Sequence, residues 1–399
     1  MNKITRFLIF ATVFLIPSYL IRFTFFGIPT NVLEILIYLT FVFYLLEKPA
    51  ISWKELYKNY KIHIFSIALI FIGLILSTLT SQNYREGFGI IKGWFFDPLL
   101  FAFILINKIR EEKDIKNILK TFYFSAFAVS LIALEYFLYG YLTYDGRLSA
   151  FHSSPNYLAM FLAPAIFIGV YLIKDTKNEV PSQRLVRLWR KNSILPFSLF
   201  IILFIIYLTY SYAAWISIIL SLIIVALITK NISKKLILIF SLIIFIAFST
   251  QIGNPKLKNV FSERSSLNSR LIIWESSLKI LKDNLIFGIG PGNFQNKYLE
   301  YQKYFSPYPE WAVPEPHNLY LAFWLQSGLI GLIGFIILIF TWLKKTLKSV
   351  LSNQKNSLIS AAFLGIILYI LIHGLVDTTY WKNDLSLIFW IIFSLKENL

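Results

Sequence analysis

The chain has 399 residues, is 57% hydrophobic and only 15% charged, and has a mean hydropathy of +0.65. So much apolar sequence excludes an ordinary soluble domain, and the lack of cysteine excludes disulfides, thiolate metal sites and cysteine nucleophiles. A net charge of +17 would suit nucleic acid, but its distribution along the chain assigns it to membrane topology instead.

Twelve apolar runs are predicted to span a bilayer as helices, at about 7–26, 31–46, 62–80, 91–107, 119–140, 156–173, 194–211, 213–229, 235–250, 318–342, 358–376 and 384–395. The first is too long for a signal-peptide core and lacks a convincing cleavage site, so it reads as a retained helix. With the N-terminus inside, the connections on the cytoplasmic side hold 25 of the 38 Lys and Arg. The spans and short outer connections hold five: Arg22, Arg85, Lys92, Arg147 and Lys382. The other eight lie in the long segment 251–317. This bias places both termini in the cytoplasm and the 251–317 loop outside. The fold class is an all-α polytopic membrane protein, one integral domain over 1–399, with its large extracytoplasmic loop between spans nine and ten.

The outer connections carry the chemistry. Between spans five and six, Asp145-Gly146 signals a turn, Arg147 follows, and Pro155-Asn156 opens the next span. In the long loop, 267–282 has a helical period. Leu267, Leu271, Trp274, Leu278 and Leu281 form one stripe, predicted to lie on the membrane surface or to cap the bundle. Gly288-Ile289-Gly290-Pro291-Gly292 then makes a tight turn, and Pro307, Pro309, Pro314 and Pro316 keep the approach to His317-Asn318 extended.

Each candidate has a plainer reading. His317 is either an interfacial histidine at a helix start or a general base, its protonated form disfavoured by the helix N-terminus. Arg270, Arg147 and Arg264 are either polar-face or anchoring residues or, converging, a clamp for a diphosphate, whose oxygens guanidinium forks bind in pairs. Gly290 and Gly292 either make a turn or expose backbone N–H groups to an anion. Asn156 and Asn318, at the starts of spans, are candidate substrate-binding residues. His373 and Asp377, four apart, are read as a hydrogen-bonded supporting pair. His152 is a secondary candidate near Arg147, and the acids inside spans, Glu34, Asp97 and Glu135, are functional hypotheses by position. The sequence shows neither metal-ligand spacing nor an Asp-x-Asp pair in a short outer loop, so no metal or cofactor is expected.

The stretches G-R-L-S-A-F-H-S-S-P-N at 146–156, S-R-L-I-I-W-E at 269–275, F-G-I-G-P-G-N-F at 287–294, H-N-L-Y-L-A-F-W-L-Q-S-G-L-I-G-L at 317–332 and H-G-L-V-D at 373–377 together resemble the O-antigen ligase / O-antigen polymerase family of bacterial membrane glycosyltransferases. The resemblance implies a GT-C-type bundle in the inner membrane. It implies metal-independent, inverting transfer of a glycan from undecaprenyl diphosphate to an acceptor hydroxyl. The acceptor is lipid A-core for a ligase and a second lipid-linked repeat for a polymerase. It maps the family's essential histidine onto His317 and its loop-helix arginine onto Arg270. A further ligase arginine, usual at the start of span eight, is missing from Ser211-Tyr212-Ala213-Ala214-Trp215, so Arg147 or Arg264 supplies that charge or the site differs. The competing class is a transporter or flippase for a lipid-linked glycan. It would place its site near the midplane in repeated halves, and no internal repeat is visible.

Overall fold

The computed structural model describes residues 3–49, 51–81, 83–177, 184–229, 249–250, 265–305, 310–352 and 357–399. Span nine, the first part of the long loop and Arg264 lie outside these residues. The described chain is a helical bundle with a small cap. Its first half comprises α1 (Lys3–Phe14), α2 (Val32–Leu46), α3 (Trp53–Leu79), α4 (Tyr84–Ile90), α5 (Asp97–Lys108), α6 (Glu112–Leu138) and α7 (Pro155–Lys177). Its second half comprises α8 (Arg184–Leu208), α9 (Tyr212–Thr229), α10 (Ser266–Asp283), α11 (Phe294–Tyr301), α12 (Leu319–Leu351), α13 (Ser357–His373) and α14 (Asn383–Glu397). Among the described residues, six helices are long and apolar enough to cross a membrane: α3, Tyr84–Lys108, α6, α7, α9 and α12. Shorter apolar helices lie at Val32–Leu46, Ile194–Leu208 and Ser357–His373. This is a polytopic membrane architecture.

The expected first span does not run to Phe26. After α1 the chain turns through a 3-10 segment, Ile16–Leu20, whose Pro17 cannot continue an α-helical ladder. It then forms an antiparallel hairpin of β1 (Arg22–Phe25) and β2 (Ile28–Asn31). The expected fourth span starts earlier, at Tyr84, and passes through a π-helical turn over Ile91–Phe96.

The interior helices are α7, α13 and α14, which are buried on nearly all sides. They belong to one apolar core with Trp342, Trp381 and Trp390 among its largest fully buried side chains. The close α3–α12 contact follows from glycine: a Cβ on Gly73 would meet Ser327 O at 2.3 Å, and one on Gly334 would meet Ser66 O at 2.7 Å. Small residues let helices approach where lipid offers no hydrophobic drive.

Helix α12 is broken at Gly328, with φ +65° and ψ −176°. The break frees backbone groups, and the segment before α11 satisfies them. Ile289 N donates to Leu325 O (2.6 Å), and Leu329 N donates to Ile286 O (2.9 Å). Non-helical backbone within a membrane bundle persists where protein covers it. The loop is thereby stitched into the bundle. A separate small core of Ile273, Ile280, Leu281, Ile289, Phe294, Tyr298, Val313 and Leu325 joins α10, α11 and α12.

Candidate active site

Three connections meet at one end of the bundle: 139–154 between α6 and α7, 310–318 before α12, and 374–382 between α13 and α14. The last is plugged into the protein, with Thr378, Thr379, Tyr380 and Trp381 all buried. A buried connection needs partners for its polar groups. Thr379 Oγ1 donates to Ile370 O (2.9 Å) and the Tyr380 hydroxyl to Trp94 O (2.9 Å). The turn that carries Asp377 is therefore fixed.

His317 precedes the cap of α12 and takes φ +47°, a left-handed conformation uncommon outside glycine. Two contacts hold it there. Asn318 caps the helix, its Oδ1 accepting from Tyr320 N and Leu321 N (both 3.0 Å), and its Nδ2 donates to Leu375 O (2.8 Å). From α10, Trp274 Nε1 donates to Pro316 O (3.1 Å) and His317 O (3.2 Å).

Asp377 is the hub. Its Oδ1 lies 3.1 Å from His317 Nδ1 and accepts from Thr378 N (2.9 Å). Its Oδ2 accepts from Asn156 Nδ2 (3.0 Å) and lies 3.6 Å from Arg270 Nη2. Asn156 passes the connection on, since its Oδ1 accepts from Arg147 Nη2 (2.6 Å). Arg147 also donates from Nε to Thr209 O (2.8 Å), at the α8–α9 turn. Arg270 sits on α10 with its Nε buried and without a hydrogen-bond partner. A carboxylate accepts only, so neutral His317 carries its proton on Nδ1 and leaves Nε2 to face a ligand. The His317 side chain is 27% exposed, against 3% for Asp377.

The electrostatics follow from this packing. Burial alone would lower the His317 pKa. The Asp377 charge and hydrogen bond outweigh it, so the value is raised above the ordinary 6.5. This corrects the expectation that the helix N-terminus keeps His317 neutral: the cap already takes the first helical N–H groups, and a carboxylate at 3.1 Å outweighs a helix end. For Asp377 burial acts upward, yet His317 and Arg270 hold it well below the usual carboxylate range. Burial also lowers Arg147, with Asp145 opposing.

His317, Arg270, Arg147, Asn156 and Asp377 therefore come together. Other expectations need correction. Gly290 and Gly292 do not reach this group. Their backbones (φ +82° each) press on Ser77, Ser81 and Glu86, and Gly292 N faces Gln326 Oε1 (3.4 Å). These glycines serve close approach to the end of α3 and to α4. The His373 side chain does not bond the Asp377 carboxylate; Asp377 N donates to His373 O (3.0 Å), while His373 Nδ1 pairs with the Tyr369 hydroxyl (2.8 Å). The helix ends at His373, so the side chains do not stay on one face. His152 is buried against Phe151 with neither ring nitrogen hydrogen-bonded, and burial followed by the Lys382 charge pushes its pKa down to about 3. The leucine stripe of α10 splits. Leu267, Leu271 and Leu278 face outward, while Ser269, Ile273, Ser276, Ser277, Ile280 and Leu281 face inward. Of the acids in spans, Glu34 accepts from Lys92 Nζ (2.5 Å) and Asp97 from the Tyr38 hydroxyl (2.6 Å).

Sequence reasoning missed Glu315 and Thr378. Thr378 Oγ1 donates to Glu315 Oε2, tying the approach to His317 to the turn of Asp377. The one signal was a carboxylate between two prolines, two residues before the histidine.

Comparison with known proteins adds to this geometry. Residues 197–336 match the family model described as O-antigen ligase. The O-antigen ligase of Salmonella typhimurium is 24% identical over an alignment covering 94% of this chain and 90% of that protein. The ComP-specific O-oligosaccharyltransferase of Acinetobacter baylyi is 26% identical over 71% of this chain, and the match spans about half of that relative, 52%. The matched segment holds α10, His317 and the start of α12 with its break at Gly328, and the chain is similar to the Salmonella O-antigen ligase over nearly its whole length.

Proposed function

We propose that this protein is a membrane glycosyltransferase that moves a glycan from undecaprenyl diphosphate to an acceptor hydroxyl at the extracytoplasmic face of the inner membrane. The observation that carries the reading is the single buried carboxylate, Asp377, joining an imidazole to Arg270 and, through Asn156, to Arg147. The whole chain is read as a GT-C-type bundle of twelve spans with both termini cytoplasmic, which the lysine and arginine distribution supports.

In this reading the donor diphosphate lies against Arg270 and Arg147. The acceptor O–H attacks the anomeric carbon from the side opposite the diphosphate, and the proton passes to His317 Nε2. The bond from the anomeric carbon to the phosphate oxygen breaks, configuration inverts, and the lipid diphosphate leaves with its new charge facing the arginines. Asp377 orients the imidazole and stabilises the imidazolium that forms, as a carboxylate does in a hydrolase triad. Asn318 holds the helix start that positions His317. Arg147 reaches the α8–α9 turn, beside Tyr212, where the resemblance calls for an arginine the sequence lacks; we assign the second charge to it.

A ligase acceptor, lipid A-core, is favoured because the alignment with the Salmonella ligase runs through nearly the whole of both chains. The experiment is transfer from an undecaprenyl-diphosphate glycan by the purified chain, in excess chelator, offered lipid A-core or a second lipid-linked repeat. Product on lipid A-core is expected. Product on the second repeat alone would make the protein a polymerase. Activity lost in chelator and restored by magnesium or manganese would contradict the arginine clamp.

A further inference from the structure

The two oxygens of Asp377 divide the site into unlike halves. Oδ2 faces Asn156 and Arg270, with Arg147 behind Asn156. Oδ1 faces His317 and Thr378, with Glu315 behind Thr378. The Glu315 side is built differently. Glu315 lies within electrostatic range of Tyr157 and Lys382. Lys382 Nζ sits 3.3 Å from the centroid of the Tyr157 ring and donates to Ser153 Oγ (2.7 Å). Ser153 is exposed, and Glu315, Tyr157 and Lys382 are each partly open. The resulting face alternates acceptor and donor: a carboxylate, a phenol, an ammonium and a hydroxyl.

This pattern suits polyols and not diphosphates. A carboxyl group, even with burial pushing its pKa up to about 7, offers a phosphate no counter-charge, and the arginine half already offers the matching charge. Sugar hydroxyls both donate and accept, so neighbouring ones pair with a carboxylate and an ammonium in turn. The attacking hydroxyl must also come within hydrogen-bond reach of His317 Nε2. Glu315 stands two residues before His317 and is tied to the turn of Asp377. We propose that Glu315, Tyr157 and Lys382 form the acceptor-sugar subsite, which binds a neutral pyranose ring on the side of His317 away from the arginines.

The inference rests on the glycosyltransferase reading above, and the two are tested apart. The full chain is placed in phospholipid nanodiscs, free of glycoside detergents that would fill a sugar site. Two probes are titrated: farnesyl diphosphate for the arginine half, and methyl glycosides of glucose, galactose and heptose, followed by saturation-transfer NMR, for the Glu315 half. Wild type is expected to bind both. Glu315→Gln and Lys382→Met should weaken the best glycoside about tenfold or more, with farnesyl diphosphate affinity within about twofold of wild type. Arg270→Ala should do the reverse. Using both Glu315→Gln and Lys382→Met separates a lost contact from a misfolded loop, because Lys382 lies on a different connection. Three results would overturn the subsite: wild type that binds farnesyl diphosphate but no glycoside, variants with unchanged glycoside affinity, or variants that lose both probes together. Wild type that binds glycosides but not farnesyl diphosphate would instead sink the donor reading.

Discussion

His317 and Asp377, 60 positions apart, meet at 3.1 Å between Nδ1 and Oδ1. The contact links the start of α12 to the turn after α13. It makes the pairing of this imidazole with this carboxylate a product of the fold and not of local sequence.

The pairing predicts a pH dependence. The carboxylate stabilises the imidazolium, so the folded His317 pKa lies above 6.5, and the neutral base appears only as pH rises through that raised value. Turnover should climb along a limb centred above 6.5. In Asp377→Asn the charge is gone, so the limb should move to lower pH while the maximal rate falls roughly a hundredfold. A pH profile of single-turnover rate for both proteins checks this. An unmoved limb would mean that His317 is not the group being titrated.

The break in α12 predicts a selective glycine requirement. A Cβ on Gly328 would meet Ile286 O at 2.4 Å with φ at +65°, whereas one on Gly89 meets nothing within 4 Å. Gly328→Ala should cost about 1–3 kcal/mol and lower the melting temperature. Gly89→Ala should be neutral or gain about 0.4–1 kcal/mol. Because α10 and its Arg270 belong to the loop stitched onto this break, Gly328→Ala should also weaken lipid-diphosphate binding. Equal melting temperatures for the two variants would remove the argument for the break.

The membrane character and most helices were legible in composition and hydropathy, because bilayer thickness sets a length that apolar runs reveal directly. The early end of α1 was not, because Pro17 and Ser18 interrupt a run that is apolar on either side. Arg147, His317 and Asn156 were singled out because polar residues stand out at the ends of apolar spans, and Arg270 because the resemblance marks the start of the loop helix; the fold brings the four together. The partner of Asp377 was misread: a spacing of four implies contact only while the helix continues, and α13 ends at His373. The leucine stripe of α10 misled for a related reason. Apolar residues turn inward where water is the alternative, whereas an outward leucine is ordinary beside lipid. Glu315 and Thr378 were invisible because nothing local marks a contact between two connections.

The proposed sidedness rests on the lysine and arginine count. A tag inserted near Gln295 should be reached by an impermeant reagent in intact spheroplasts, and one near Ser352, at the far end of α12, should be reached only after permeabilisation. The opposite labelling would put His317 in the cytoplasm and remove the proposed donor from reach.

In the proposed transfer His317 serves as base and Arg270 with Arg147 as the diphosphate clamp, a division of labour. It is tested most directly by measuring lipid-diphosphate affinity and single-turnover transfer on the same set of folded variants. His317→Ala should lose about a hundredfold or more in rate, near 2–4 kcal/mol of transition-state stabilisation, with donor affinity nearly unchanged. Arg270→Ala and Arg147→Ala should lose donor affinity as well as rate. Lysine at either position should restore only part, since an ammonium keeps the charge without the planar fork. Folded His317→Ala turning over at the wild-type rate, or arginine variants that bind donor normally, would contradict the account.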